Sequence, residues 1–396
     1  MAFFHNRAVN LLNLHYVIES IGIGGGGAFF SIYLLKSGLT VPSVLLVLAA
    51  IMAMRLILRS FLLALGLRIG LRWLVVIGTV LMASMYPFLV EVHGIGFSLY
   101  WLIFISALAD TVYWPSYHAY FAALGDEEHR GQQTGIREAV TATLGIVSPL
   151  VAGWLLVHFG PRAAFLTTGA IQLSAVLPLF WMPDIPVARS APGAFQAAIN
   201  GAMLFIADGW IAAGYFIVWQ IALFLALGQS YMAYGGALAV AALVGAVGGL
   251  VFGRLIDSGR GTRAVWLSVS LLALVVAMRA GALHHPVLAV IANALGSLVA
   301  CVYVPTLMTA VYNQAKRSPC VLRFHIAAEG GWDIGVTTAL LLAALATWLG
   351  YSIAFGILIA LAGATTVGFL LHRYYTRHAA ETIDAALVHQ PEEVVR

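Results

Sequence analysis

The chain has 396 residues, 62 % of them hydrophobic and only 9 % charged, against roughly 25 % charged in an ordinary soluble domain. No soluble core hides that much apolar surface, so the composition excludes an ordinary globular protein and predicts a polytopic membrane protein. The net charge of +4 is scattered as single basic residues, which speaks against nucleic acid, and the two cysteines, Cys301 and Cys320, form no metal or disulfide pattern.

The opening "MAFFHNRAVN" is short, polar-interrupted and runs into the first apolar stretch, so no cleavable signal peptide is expected. Apolar runs of about 20 residues fit a membrane helix. Twelve are predicted, at 13–35, 42–66, 73–92, 96–124, 133–158, 163–182, 203–227, 230–256, 264–282, 287–313, 324–348 and 350–373. The 40 glycines suit close helix packing in lipid. The longest connection, "PDIPVARSAPGAFQAAIN" (Pro183 to Asn200), carries three prolines and no apolar periodicity. It reads as a linker, residues 183–202, between six-helix halves at 1–182 and 203–376. The polar tail from 377 to 396 reads as disordered.

With the N terminus placed in the cytoplasm, the inner segments and helix ends hold Arg7, Arg68, Arg72, Arg130, Arg137, Arg189, Arg254, Arg260, Arg263, Lys316, Arg317, Arg323, Arg373, Arg377 and Arg396. The outer side holds Lys36, Arg162 and Arg279, while Arg55 and Arg59 fall inside the second span. This positive-inside bias predicts an inner-membrane protein with both termini cytoplasmic.

The second half repeats the first. Asp208 falls on Glu19, Gly214 on Gly25 and Gly259 on Gly70 at a spacing of 189 residues. "VYVP" (Val302 to Pro305) falls on "VYWP" (Val112 to Pro115) at 190, and Glu329 on Glu138 at 191. Each match joins corresponding spans, so the halves read as a duplicated helical unit. Parallel repeats with a site near their interface are an established transporter plan.

These features resemble the major facilitator superfamily over residues 10–375. That resemblance implies an all-α membrane fold of two pseudo-symmetric six-helix bundles, alternating access, and a cavity lined by spans 1, 4, 7 and 10. The turn "GRLIDSGRGTR" is similar to the family's Gly-x-x-x-Asp-x-x-Gly-Arg signature. It implies gating roles for Asp257, Gly259, Arg260 and Arg263. The equivalent turn "LGLRIGLR" keeps Gly66, Gly70 and Arg72 but has Arg68 and lacks the aspartate. The fifth span, "GIREAVTATLGIVSPLVAG", resembles the family's antiporter motif at Gly135, Pro149 and Gly153, with Ser148 and Ala152 where glycines are expected. This places export ahead of uptake. The fourth span carries Asp110 where proton-linked drug antiporters of the family usually carry a buried arginine.

Six acids lie within spans or at their ends: Glu19, Asp110, Glu138, Asp208, Glu329 and Asp333. They outnumber the bases at similar depth, Arg55 and Arg59. Intramembrane ionisable residues face protein or water and mark substrate and proton routes. Glu19 and Asp208 are therefore the first candidates for substrate or proton binding. Glu329 and Asp333 are four apart on one helix face. A shared proton relieves their repulsion, which makes them the second proton site. Asp110 is expected to meet Arg55. Glu138 and Glu329 suggest paired latch contacts. Arg55 falls opposite Val244 in the repeat and so breaks the symmetry.

"GIGGGG" (Gly22 to Gly27) lacks the Lys-Ser/Thr of a phosphate loop and lies mid-span. Bending and close packing are both open uses of it. Tyr33, Tyr113, Trp114, Tyr215 and Trp219 fall on the implied cavity helices, and His118 adds hydrogen bonding. Acids with aromatics suit an amphipathic or cationic organic solute.

The expected function is a secondary transporter for such a small-molecule solute, with the proton as coupling ion and export favoured. Proton-linked uptake is the alternative. A lipid-modifying enzyme on this fold is the remote one, with no nucleophile or metal motif to carry it. No cofactor, metal or nucleic-acid partner is expected. The chain is expected to work as a monomer in the lipid bilayer.

Overall fold

In lipid every backbone polar group needs an internal partner, which leaves helices as the solution for long apolar runs. The computed structural model describes residues 6–124, 130–256 and 261–388, with the side chains of 130–139, 142, 249–256, 261 and 378–388 outside that description. It is all helix, with no strand among the described residues.

Helix α1 (Arg7–Lys36) begins at Asn6, whose side chain accepts from the Val9 amide at 3.1 Å. Thr40 caps the long segment Val41–Val90, which divides at Gly70 into α2 (41–69) and α3 (71–90). There follow α4 (Phe97–Leu124), α5 (Arg130–His158), α6 (Gly160–Leu179), α7 (Ile199–Ala226), α8 (Tyr231–Ile256), α9 (Gly261–Gly281), α10 (Pro286–Arg317), α11 (Val321–Trp348) and α12 (Ala354–Arg377).

Ten helical segments among the described residues are long and apolar enough to cross a membrane, counting Val41–Val90 once. In α5 the apolar part is shorter, Thr143–His158. The backbone of the last helix stays helical to Val388, past the point where the sequence predicted disorder. "RHAAETIDAALV" is rich in alanine, the strongest helix former, and polarity alone does not melt it.

The glycine run breaks α1. Gly25 adopts φ −83°, ψ −108°, and a tight turn at Gly26–Phe29 follows. A Cβ on Gly22 would lie 2.8 Å from the Gln172 amide oxygen, and one on Gly26 2.7 Å from the Thr168 hydroxyl. Bending and close approach to α6 therefore occur together.

At Gly70 the backbone turns through φ +79°, a region L side chains avoid. The local motif holds no aspartate in this turn. The linker supplies one: Asp184 Oδ1 accepts from the Arg72 amide at 3.2 Å, and the Ile185 carbonyl accepts from the Leu71 amide at 2.9 Å. The exposed amides at the start of α3 are thus capped from more than a hundred residues away. A Cβ on Gly70 would lie 2.5 Å from Asp184 Oδ1. Gly70→Ala is therefore expected to cost about 1–2 kcal/mol or more, from backbone strain and loss of the cap together. Thermal unfolding in detergent checks this; an unchanged midpoint overturns it.

Within the first half α3 packs along α4, and Gly78 lets its backbone press on Tyr113. The halves join along two seams. In one, α5 crosses α8: a Cβ on Gly235 would lie 2.5 Å from the Pro149 carbonyl, and one on Gly153 3.0 Å from the Tyr231 carbonyl. In the other, α11 lies against α2 and α4.

Candidate functional site

The seam of α2, α4 and α11 holds five charged side chains. Arg55, 3 % exposed, reaches Asp333 Oδ1 at 2.9 Å, Asp110 Oδ2 at 3.4 Å and Glu329 Oε2 at 3.5 Å. Arg59 reaches Asp333 Oδ2 at 2.5 Å and Glu329 Oε2 at 3.8 Å. The two arginines are one helical turn apart on α2, and the two acids are one turn apart on α11. Each arginine therefore faces both acids of the other half. Three carboxylates meet two guanidinium groups, so the cluster carries one carboxylate in excess. Buried pairs of this kind stand only when well bonded, because desolvating each ion costs several kcal/mol.

Asp110, Trp114 and His118 repeat at four-residue spacing along α4 and share its half-buried face. His118 Nε2 lies 3.8 Å from Glu329 Oε1, and its Nδ1 lies 2.9 Å from the Tyr312 hydroxyl. The Arg55 guanidinium stacks on Trp332, 5.3 Å from the ring centre. The Trp332 side chain also hydrogen-bonds Asp208. Asp208 is half-buried on α7 and accepts from the Tyr303 hydroxyl at 2.5 Å. Arg55, Asp110, Trp114, His118, Asp208, Glu329 and Asp333 are thus brought together, as the sequence expected of Asp110 and Arg55.

The other candidates lie elsewhere. Glu19 is fully buried between α1 and α6 and accepts from the Gln172 amide. Its neighbour His15 hydrogen-bonds Tyr113 at 3.1 Å and the Ala175 carbonyl at 2.8 Å. Tyr113 is the repeat partner of Tyr303, so in one half this tyrosine serves the acid and in the other the histidine a turn before it. The Tyr33 hydroxyl donates to the Val90 carbonyl at 3.1 Å. Tyr215 and Trp219 line the interior of the second half. There the Tyr215 hydroxyl donates to the Gly296 carbonyl and the Trp219 indole donates to Asn293.

Arg279, counted with the outer side in the sequence, is buried in the second half. It stacks on Tyr215, 3.9 Å from the ring centre, and donates to the Tyr215 carbonyl at 2.5 Å. That carbonyl sits in a π-helical stretch of α7, Ala212–Val218, where the bonding pattern is shifted.

Among the gating candidates, Arg72 also donates to the Met182 carbonyl at 3.0 Å, Arg263 is exposed, and Pro149 sits on the α5–α8 seam with Gly153. The side chain of Glu138 and residues Asp257, Gly259 and Arg260 lie outside the described residues. Glu329 makes its contacts with α2 and α4.

Sequence reading passed over Asp184, Gln172, His325 and Trp332. A signal existed for His325, which precedes Glu329 by four residues and shares its face. Nothing local marks Asp184 or Gln172, because their partners lie on other helices.

Helices long and apolar enough to span a bilayer, with a charged seam buried between them, define a polytopic helical membrane protein. A family model for the Major Facilitator Superfamily matches residues 12–319, and the chain belongs to that superfamily of transporters. No curated protein sequence matches it. Among solved structures it resembles the human organic anion transporter MFSD10 (TETRAN). That match has 14 % identity and a TM-score of 0.64, and covers 93 % of this chain and 98 % of that one. It also resembles an auto-inhibited POT family peptide transporter, at 12 % identity and a TM-score of 0.62, covering 94 % and 97 %. At such identities the likeness is one of fold.

Proposed function

We propose that the protein is a proton-coupled secondary transporter of a small amphipathic or cationic organic solute, working as a monomer and favouring export. It crosses the inner membrane twelve times, with the linker and both termini in the cytoplasm. The single observation that carries the reading is the excess carboxylate in the Arg55–Arg59–Asp110–Glu329–Asp333 cluster. One proton balances the cluster; its loss leaves a net negative charge at the seam between the halves. Arg55, Arg59 and Asp110 belong to one half, Glu329 and Asp333 to the other. Binding a proton therefore weakens or strengthens the seam itself, which links the ion to the rocking of the halves.

Asp208 is the solute-facing acid in this reading. It is half-buried, next to Trp332 and Tyr303, and a carboxylate beside aromatic rings suits an organic cation. Glu19 is a secondary proton site inside the first half.

The test uses tetraphenylphosphonium as probe in proteoliposomes of the full chain, with an imposed pH gradient. Gradient-driven movement of the probe, abolished by a proton–potassium exchanger, is the expected result. Asp208→Asn is expected to reduce probe movement roughly tenfold or more while the protein stays folded. Movement indifferent to the gradient removes the proton from the mechanism. Full activity of Asp208→Asn removes that residue from the site.

A further inference from the structure

Two histidines meet at the linker-side edge of the charged cluster. His118 on α4 and His325 on α11 stack with ring centres 5.6 Å apart and an interplanar angle of 27°. His325 is fully buried, and neither of its ring nitrogens meets a hydrogen-bond partner among the described residues. It also packs edge-on against Tyr312 of α10 at 5.9 Å and Phe324 at 5.5 Å. His118 bonds Tyr312 through Nδ1 and points Nε2 at Glu329. Every one of these links from His118 crosses from the first half to the second.

We infer that His118 and His325, with Tyr312, form a proton-transfer station that loads and unloads Glu329 from the linker side. This rests on the proton-coupled reading above. The geometry orders the groups. Tyr312 is half-buried near the end of α10, His118 is next, Glu329 follows, and the arginines lie beyond. In the loading step, the imidazolium of His118 gives its Nε2 proton to the Glu329 carboxylate, leaving a neutral imidazole and a carboxylic acid. Nδ1 keeps its proton and donates it in a hydrogen bond to the Tyr312 hydroxyl oxygen, which holds the ring in place. A hydronium ion from the linker side returns a proton to Nε2, leaving water and restoring the imidazolium. Histidine is suited to this because its ordinary charge change falls between pH 5 and 8.

His325 sets how readily His118 gives up its charge. Two imidazolium rings stacked at this distance repel, so the pair holds one charge at a time. The charged and titratable groups around His118 are Asp110 on its own helix, Arg55 and Arg59 on α2, Tyr312 on α10, and His325, Glu329 and Asp333 on α11. The carboxylates favour the imidazolium; the arginines and His325 oppose it.

The experiment has two arms. In the first, histidine-selective nitrogen-15 NMR follows the full chain in nanodiscs from pH 5 to 8. His118→Gln and His325→Gln assign the two signals, and no solute is present. Glu329→Gln is expected to move the His118 titration by about half a pH unit or more and to leave distant histidines alone. An unmoved midpoint overturns the inference whether or not the protein carries any probe.

In the second arm, His118→Gln, His325→Gln and Tyr312→Phe are each expected to cut gradient-driven tetraphenylphosphonium movement roughly tenfold or more. Exchange of labelled for unlabelled probe at equal pH is expected to stay within about twofold, because it needs no net proton transfer and so separates this role from simple misfolding. Equal loss of both modes in properly folded variants overturns the station. Failure of the wild type to couple probe movement to protons overturns the proposed function, while the NMR titration still decides whether His118 and Glu329 exchange a proton.

Discussion

Arg55→Gln is expected to be the most damaging single substitution in the chain. Arg55 touches Asp110, Glu329 and Asp333 at once. Removing it leaves the buried Glu329 and Asp333 and the half-buried Asp110 to one arginine. Breaking a buried ion pair by deleting one partner costs about 3–5 kcal/mol, because the remaining charge is left uncompensated. The loss exceeds that of a surface pair, which is worth about 0–1 kcal/mol. Denaturant titration in detergent measures it. Adding Asp333→Asn to Arg55→Gln is expected to restore part of the stability, since Arg59 still meets Glu329. Transport is expected to stay lost in the double variant, because the charge balance at the seam has changed. A double variant less stable than Arg55→Gln alone would sink this account of the cluster.

The second large effect is expected at Gly335. Here α7 and α11 run backbone to backbone. A Cβ on Gly335 would collide with the Ile206 carbonyl oxygen, and one on Gly331 with the Ala202 carbonyl oxygen. On the facing helix, a Cβ on Gly209 would lie 2.6 Å from the Trp332 carbonyl. Close approach of this kind is the main adhesive between membrane helices, since lipid supplies no hydrophobic drive for them to associate. Backbone cannot swing aside as a flexible side chain can. Gly335→Ala is therefore expected to cost about 1–3 kcal/mol or more through overpacking, and Gly335→Val more again. Gly236→Ala is the control, because nothing lies within 4 Å of its Cβ; it is expected to stay within about 0.5 kcal/mol of the wild type. Equal thermal midpoints for the two alanine variants would refute the packing argument. The displacement also reaches the site, because α7 carries Asp208 and α11 carries Glu329 and Asp333.

Much of the architecture was legible because apolar run length and the repeat are one-dimensional signals. The spacing of 189 to 191 residues paired Asp208 with Glu19 and Tyr303 with Tyr113. Arg55 with Asp110 was also readable, since two opposite charges in neighbouring apolar spans have little else to pair with. The convergence of Glu329 and Asp333 on both arginines was not. It depends on the rotation of α2 and α11 about their axes, which a sequence with little hydrophobic asymmetry leaves undetermined. The same ignorance of rotation hid Gln172 behind Glu19, and turned Tyr33, Tyr215 and Trp219 toward the interiors of their own halves. The missing aspartate of the first-half turn was a true absence in its local motif. Its replacement by Asp184 is a long-range contact that no window of sequence contains.

The linker does more than join two bundles. At one end it is buckled to α3 through Asp184 and Ile185. At the other, Arg323 of α11 clasps the Ala188 and Arg189 carbonyls, each at 2.9 Å. Only a few residues separate the two fastenings, far too short a strap to absorb slack. Any tilt that parts the bundles on this face must first unclasp one end. A short stretch of linker thus fastens α3 of one half to α11 of the other.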